Sequence, residues 1–202
     1  MYLELTIVRL GCDVGICDDA DAEGIAMDDV TLVESFDSGE QAADFHESIV
    51  GIDHIAAAVA DIAEAISWYS RTLGFSLIET RTTKGVRTSM VSAVMKAGGA
   101  VVVLVQGVEP DSQVSQFVSK FGPGVQHVAF SVSDLDKALA DVVRAGGVSE
   151  TGILQDVGIR QTFLRRDPGS AVRVELIERN GGEFSDSSVE RLFKSMEALD
   201  IY

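Results

Sequence analysis

Three side chains in this 202-residue sequence could hold a metal ion together: His54, His127 and Glu175. The sequence contains only three histidines, and two of them occupy one place in an internal repeat. Gly51-Ile52-Asp53-His54-Ile55-Ala56 recurs 73 residues later, without a gap, as Gly124-Val125-Gln126-His127-Val128-Ala129. A lone strand histidine is usually structural, whereas the same histidine at both copies of a repeat points to a shared task. Glu175 stands between apolar neighbours in Val174-Glu175-Leu176-Ile177. A carboxylate inside such a strand needs a cation or water. Two imidazoles and a carboxylate suit a divalent transition metal with open positions.

The elements that must position these residues follow from the repeat. Each copy reads as an apolar strand carrying the histidine. An aspartate then caps a helix, Asp61 before residues 62–73 and Asp134 before residues 135–145. Each helix stops at glycine, Gly74 or Gly146. Strand-like segments follow at 76–80, 88–95 and 100–105, and again at 148–150, 161–165 and 171–177. The pattern is βαβββ twice, an α+β fold. Module one spans 51–106, a linker with a helix at 113–121 spans 107–123, module two spans 124–178, and a loop and closing helix occupy 179–202. Alignment of the modules sets Val103 opposite Glu175 and Gln106 opposite Glu178. Gln161 is expected beside the strand of Glu175, and Gln126 is expected to face away from His127, because adjacent strand residues alternate.

Residues 1–49 differ from the rest. They hold 13 acidic residues against Arg9 alone, within a net charge of −16. They read as an acidic segment with strands at 2–10 and 31–36, two isolated thiols at Cys12 and Cys17, and a surface histidine at His46. The acid excess argues against nucleic acid. No apolar run reaches the roughly 18 residues a membrane span needs, and no secretion signal opens the chain, so a cytoplasmic location is expected. Trp68 and Tyr69 are expected in the core or an interface.

Residues 51–178 resemble the vicinal oxygen chelate superfamily, whose domains pair two βαβββ modules. The resemblance implies one curved, eight-stranded mixed sheet, a half-open barrel around a metal, with a C-terminal helix. Ser112-Gln113-Val114, the stretch from Phe121 to Ala129, Arg160-Gln161-Thr162-Phe163 and the stretch from Glu175 to Glu197 look most like the catalytic domain of 4-hydroxyphenylpyruvate dioxygenase and hydroxymandelate synthase. That branch implies Fe(II) held by His54, His127 and Glu175, with O2 as co-substrate. The implied reaction is oxidative decarboxylation of a small-molecule 2-oxo acid coupled to hydroxylation of the same molecule. Gln161, Gln106, Phe184, Val189 and Phe193 would contact the substrate, with no catalytic residue beyond the metal ligands. The acidic segment stands where those enzymes carry another barrel and is read as its remnant; a homodimer is compatible with the sequence. Glyoxalase and epimerase members of the superfamily use four protein ligands, two per module, and Val103 cannot supply the fourth. A metal-dependent epimerase, isomerase or lyase, similar to methylmalonyl-CoA epimerase or glyoxalase, is the alternative, followed by a metal-free binding protein.

Overall fold

A computed structural model describes residues 48–182 and 184–199. The expectations for strands at 2–10 and 31–36, for Cys12 and Cys17, and for His46 lie outside the described residues. Among those residues no helix is long and apolar enough to cross a membrane.

Module one runs β1 (Ile49–Ala58), α1 (Ile62–Leu73), β2 (Ser76–Lys84), β3 (Ser89–Ala97) and β4 (Ala100–Gly107). Helix α2 (Gln113–Phe121) links it to β5 (Gly124–Val132), α3 (Leu135–Arg144), β6 (Leu154–Asp156), β7 (Ile159–Phe163) and β8 (Arg173–Arg179). Helix α4 (Asp186–Ala198) follows. The strands form one mixed sheet in the order β2-β3-β4-β1-β5-β8-β7-β6. The expected βαβββ pair, curved eight-stranded sheet and closing helix are therefore present. One strand moves: the segment expected at 148–150 supplies a single bridge, Ser149 to Leu164, and β6 forms at Leu154–Asp156 instead.

The two modules meet at β1 and β5, which run antiparallel, and each of these strands pairs in parallel with the last strand of its own module. Both module helices start as the sequence predicts. Asp61 accepts a hydrogen bond from the backbone N–H of Glu64, and Asp134 accepts one from that of Lys137. A second cap repeats across the modules. Gln106 Oε1 accepts from Ile62 N–H at 2.8 Å, and Glu178 Oε2 accepts from Leu135 N–H at 2.9 Å.

Alternation divides the strand residues between two faces. On one face, Leu104, Met95 and Val102 pack under Ile62, Ile66 and Tyr69 of α1, and Leu176 and Val132 pack under Leu135, Ala138 and Val142 of α3. Trp68 stays about half exposed, edge-to-face with Tyr69. On the other, concave face, Ala58, Met90 and Val105 pack with Val114 and Phe117 of α2 and Phe193 of α4. Helices α2 and α4 thus close over the side of the sheet that carries the two histidines.

Candidate metal centre

His54 on β1, His127 on β5 and Glu175 on β8 come together on three neighbouring strands. The ladder explains how. His54 stands opposite Ala129 across the antiparallel pair, and Ala129 stands opposite Glu175 across the parallel one. The donor atoms make a near-equilateral triangle. His127 Nε2 lies 3.3 Å from His54 Nε2. Glu175 Oε2 lies 3.3 Å from His127 Nε2 and 3.5 Å from His54 Nε2.

The far side of each imidazole fixes its tautomer. His54 Nδ1 donates to Asp53 Oδ1 at 2.8 Å, and His127 Nδ1 donates to Gln126 Oε1. With the proton held on Nδ1, each neutral ring presents a lone pair at Nε2. Two lone pairs and a carboxylate oxygen therefore face one another with no hydrogen between them. A proton on Glu175 relieves that arrangement in part, and a divalent cation relieves it at all three corners. Corners 3.3–3.5 Å apart match a cation roughly 2 Å from each. Glu175 is almost wholly buried, and its second oxygen, Oε1, has no hydrogen-bond partner among the described residues. The donor set fits a divalent metal without selecting one.

Electrostatics agree with this reading. Burial pushes the Glu175 carboxyl up to about 7; His54 and Arg179 oppose the rise, and the nearby Asp53 charge adds to it. Burial pulls His127 down to about 3, helped by the positive charges of Arg173 and Arg166. Asp53 is held well below the usual carboxylate range. Its partial burial would raise it, but the bonds from Arg179 and His54 prevail. Arg179 grips Asp53 with two bonds of 2.6 and 2.9 Å.

The residues that orient the histidines, Asp53 and Gln126, occupy equivalent repeat positions, and both sit at bulges. The β1–β5 register slips between Ile52 and His54, which leaves Asp53 extra, and again between His127 and Val125, which leaves Gln126 extra. A bulge breaks the alternation of faces. Gln126 was expected to point away from His127; the bulge turns it to the same side, where it lines the cavity beside that histidine. The signal was present: a polar residue precedes the histidine in both otherwise apolar copies.

An apolar cavity opens from His127. Phe163, Met90 and Val105 of the sheet, Val114 of α2, and Leu192, Phe193 and Met196 of α4 form its walls, and Gln113 and Gln126 are its polar edges. The five expected substrate contacts distribute unevenly. Phe193 is a wall of the cavity, and Val189 packs with its cluster. Phe184 stands edge-on to His54, with ring centres 5.9 Å apart, beneath the Arg179 guanidinium. Gln161 shares the face of Glu175 but lies in a separate crevice with Ser188 and Arg191 of α4. Gln106 is not brought to the centre, because its amide caps α1 on the opposite face. The loop that carries Phe184 turns tightly against the turn between β6 and β7. A side chain at Gly182 would collide with the backbone of Val157 and Gly158, its Cβ 2.4 Å from the Val157 carbonyl oxygen.

The comparison with known proteins does not support the expected branch. It is 32% identical over 145 residues to the uncharacterized protein YqjC of Bacillus subtilis (strain 168), covering 67% of this chain and 96% of that protein. Methylmalonyl-CoA epimerase from Mycobacterium tuberculosis matches at 27% identity with a TM-score of 0.57, over 66% of this chain and 90% of that one. Epimerase structures from Streptomyces coelicolor match at 26–28% identity over nearly their whole length. A 4-hydroxymandelate synthase variant from Streptomyces coelicolor superposes with a TM-score of 0.65, but at 20% identity and over only 53% of its chain, which speaks for the fold alone. The expected kinship with the 4-hydroxyphenylpyruvate dioxygenase and hydroxymandelate synthase branch, and the oxidoreductase assignment drawn from it, are therefore corrected. The longer match across whole chains favours the epimerases. Residues 51–176 match the sequence pattern of the Glyoxalase/Bleomycin resistance protein/Dioxygenase superfamily, and the chain belongs to that superfamily.

Proposed function

We propose that this chain is a metal-dependent isomerase of the epimerase type, which removes a proton from a carbon beside a carbonyl group and returns it. The observation that carries the reading is the triangle of His54, His127 and Glu175, which lacks any hydrogen between its donors, in a chain similar to methylmalonyl-CoA epimerases along 90–100% of their length. The metal, when bound, supplies Lewis acidity at the substrate's carbonyl oxygen.

The remaining work falls to the chain's own groups. Asp53 and Gln126 hold both imidazoles in the tautomer that keeps Nε2 free. Glu175 turns Oε2 toward the histidines and keeps Oε1 unpartnered. Oε1 is the atom at which the proton is taken and held. Burial raises the basicity of this carboxyl above that of an exposed one, the direction that task needs. Phe163, Phe193 and Met90 keep the space beside His127 dry, which strengthens each electrostatic contact there. Val103 pairs with Ala56 as Glu175 pairs with Ala129. Module one therefore leaves its share of the centre apolar, and the chain itself supplies three donors.

The test is proton exchange. Metal-loaded protein in D2O without oxygen is mixed with a panel of malonyl-type and branched acyl thioesters. Deuterium should enter the carbon beside the thioester carbonyl, as read by NMR. E175Q should abolish the exchange, a loss of at least about 100-fold. Absence of exchange across the panel, or equal exchange in metal-free protein, would overturn the reading.

A further inference from the structure

The cavity lies on the His127 side of the centre. The His54 side is built differently, and one residue joins its parts. Arg179 ends β8 and shares a strand face with Glu175. Its guanidinium meets three groups at once. Nε and Nη2 donate to the two oxygens of Asp53 at 2.6 and 2.9 Å. Nη1 donates to the Gly182 carbonyl at 3.2 Å. The guanidinium carbon stands 4.7 Å from the centre of the Phe184 ring. Asp53 in turn accepts from His54 Nδ1, and Phe184 meets the same imidazole edge-on, at 87°.

These contacts close a circuit of four side chains: His54, Asp53, Arg179, Phe184 and back to His54. Two of its members stand on β1 of module one, and two belong to β8 and the loop after it in module two. A metal on Nε2 draws electron density from the His54 ring, which makes Nδ1–H a stronger donor to Asp53. A fork that holds both Asp53 oxygens cannot turn without releasing one of them. It therefore passes the orientation of Asp53 on to the Gly182 carbonyl and the Phe184 ring. The main chain of the loop is tied as well, since Asn180 and Gly182 donate to the Gly158 carbonyl and the Phe184 carbonyl accepts from Arg81.

We propose that Arg179 is a positioning residue that couples the metal centre to the Phe184 loop. Metal uptake at His54 steadies the loop, and the steadied loop strengthens the hold on metal. By linkage each must favour the other. The coupling rests on the metal-dependent reading above and extends it to a wall on the His54 side that firms as the metal binds.

The experiment uses the full chain and Zn(II), a diamagnetic ion that leaves NMR signals sharp. Zinc affinity is measured against a chelator, and amide exchange at Gly182 and Ser185 is followed with and without zinc. Zinc should slow that exchange at least about 5-fold in the wild type. R179Q should abolish the slowing and weaken zinc binding at least about 10-fold. D53N should also abolish the slowing, although it leaves the guanidinium beside the Phe184 ring, and it keeps the test readable if R179Q fails to fold. R179Q added to D53N should cost little further zinc affinity, whereas a residue that only supports the fold would cost as much in either background. R179K should restore part of the zinc affinity, because an ammonium still pairs with Asp53, but not the slowing, because it lacks the fork. Exchange indifferent to zinc in the wild type, undiminished slowing in R179Q or D53N, or additive losses in the double variant would overturn the coupling. Failure to take up zinc would overturn the metal reading. The tie is then read without metal: D53N should speed exchange at Gly182 at least about 3-fold, and an unchanged rate would overturn it.

Discussion

Three acceptor atoms facing one another at 3.3–3.5 Å make a centre that protons and metal ions compete for. Without a cation, Glu175 answers the problem by holding a proton, and burial sets its value at about 7. His127, pulled down to about 3, stays neutral through the same range. Metal uptake below pH 7 must therefore expel the Glu175 proton. Because the carboxyl is raised, acid favours the metal-free form. Metal affinity should rise about tenfold per pH unit between roughly pH 5 and 7 and flatten above, and the slope should vanish in E175Q. A competition titration with a chelator of known pH dependence measures both. Asp53 acts through His54. D53N keeps the shape but weakens the acceptor for Nδ1–H and the grip of Arg179, and it should lower metal affinity about 10- to 100-fold. An unchanged affinity in D53N would mean that packing alone orients His54.

At the scale of elements, the closing helix α4 is tied down at its last turn by one carboxylate. Glu197 accepts hydrogen bonds from the backbone N–H groups of Val86, Arg87 and Thr88 and from the Thr88 hydroxyl, at 2.6 to 3.2 Å. Gly85 permits this approach, since a Cβ there would lie 2.7 Å from Glu197 Oε2 and 2.9 Å from the Phe193 ring. Burial alone would raise the Glu197 pKa, but the bonds from Thr88, Arg87 and Val86 lower it. A lowered carboxylate contributes stability above its unfolded value, near 4.3, and loses it as pH falls through the folded value. E197A should cost roughly 3 kcal/mol and lower Tm by roughly 10 °C. E197Q should cost less and should flatten the decline in Tm between pH 5 and 3. Thermal melts at pH 7, 5 and 3 check all three. None of this clasp was legible in the sequence, because it joins residues 109–111 positions apart through backbone donors. The elements themselves were legible, since the repeat fixed both modules and Asp61 and Asp134 marked both helix starts. The bulges were not: a one-residue slip leaves no mark on hydrophobic alternation, so Gln126 was assigned to the wrong side. Gln106 went astray for a different reason. Its partner in the alignment, Glu178, caps α3 just as Gln106 caps α1, and neither role shows in a strand's pattern.

For the molecule as a whole, the two modules are built alike but furnish the centre unequally. Each gives a histidine, a bulged polar residue behind it, and a side chain that caps its helix. Only module two adds a carboxylate, because the ladder puts Val103 where symmetry would set a second one. Val103 packs instead against the cluster of Phe193, Val105 and Met90. That asymmetry divides the labour. Module two holds Glu175, while module one offers an apolar wall. V103E would restore the symmetry and exposes the trade. In metal-free protein the new carboxyl is buried in the apolar cluster that holds Val103, and the fold should lose roughly 2–4 kcal/mol. With metal, four donors should bind at least 10-fold tighter and recover that stability, because a ligand that binds only the folded state stabilises it. Exchange at the substrate carbon should fall at the same time, since the fourth donor takes the place of a substrate oxygen. Melting temperatures across a cobalt titration, together with the deuterium assay, measure both effects. Tighter metal with undiminished exchange would show that the side of the centre left open by Val103 is not where the substrate enters.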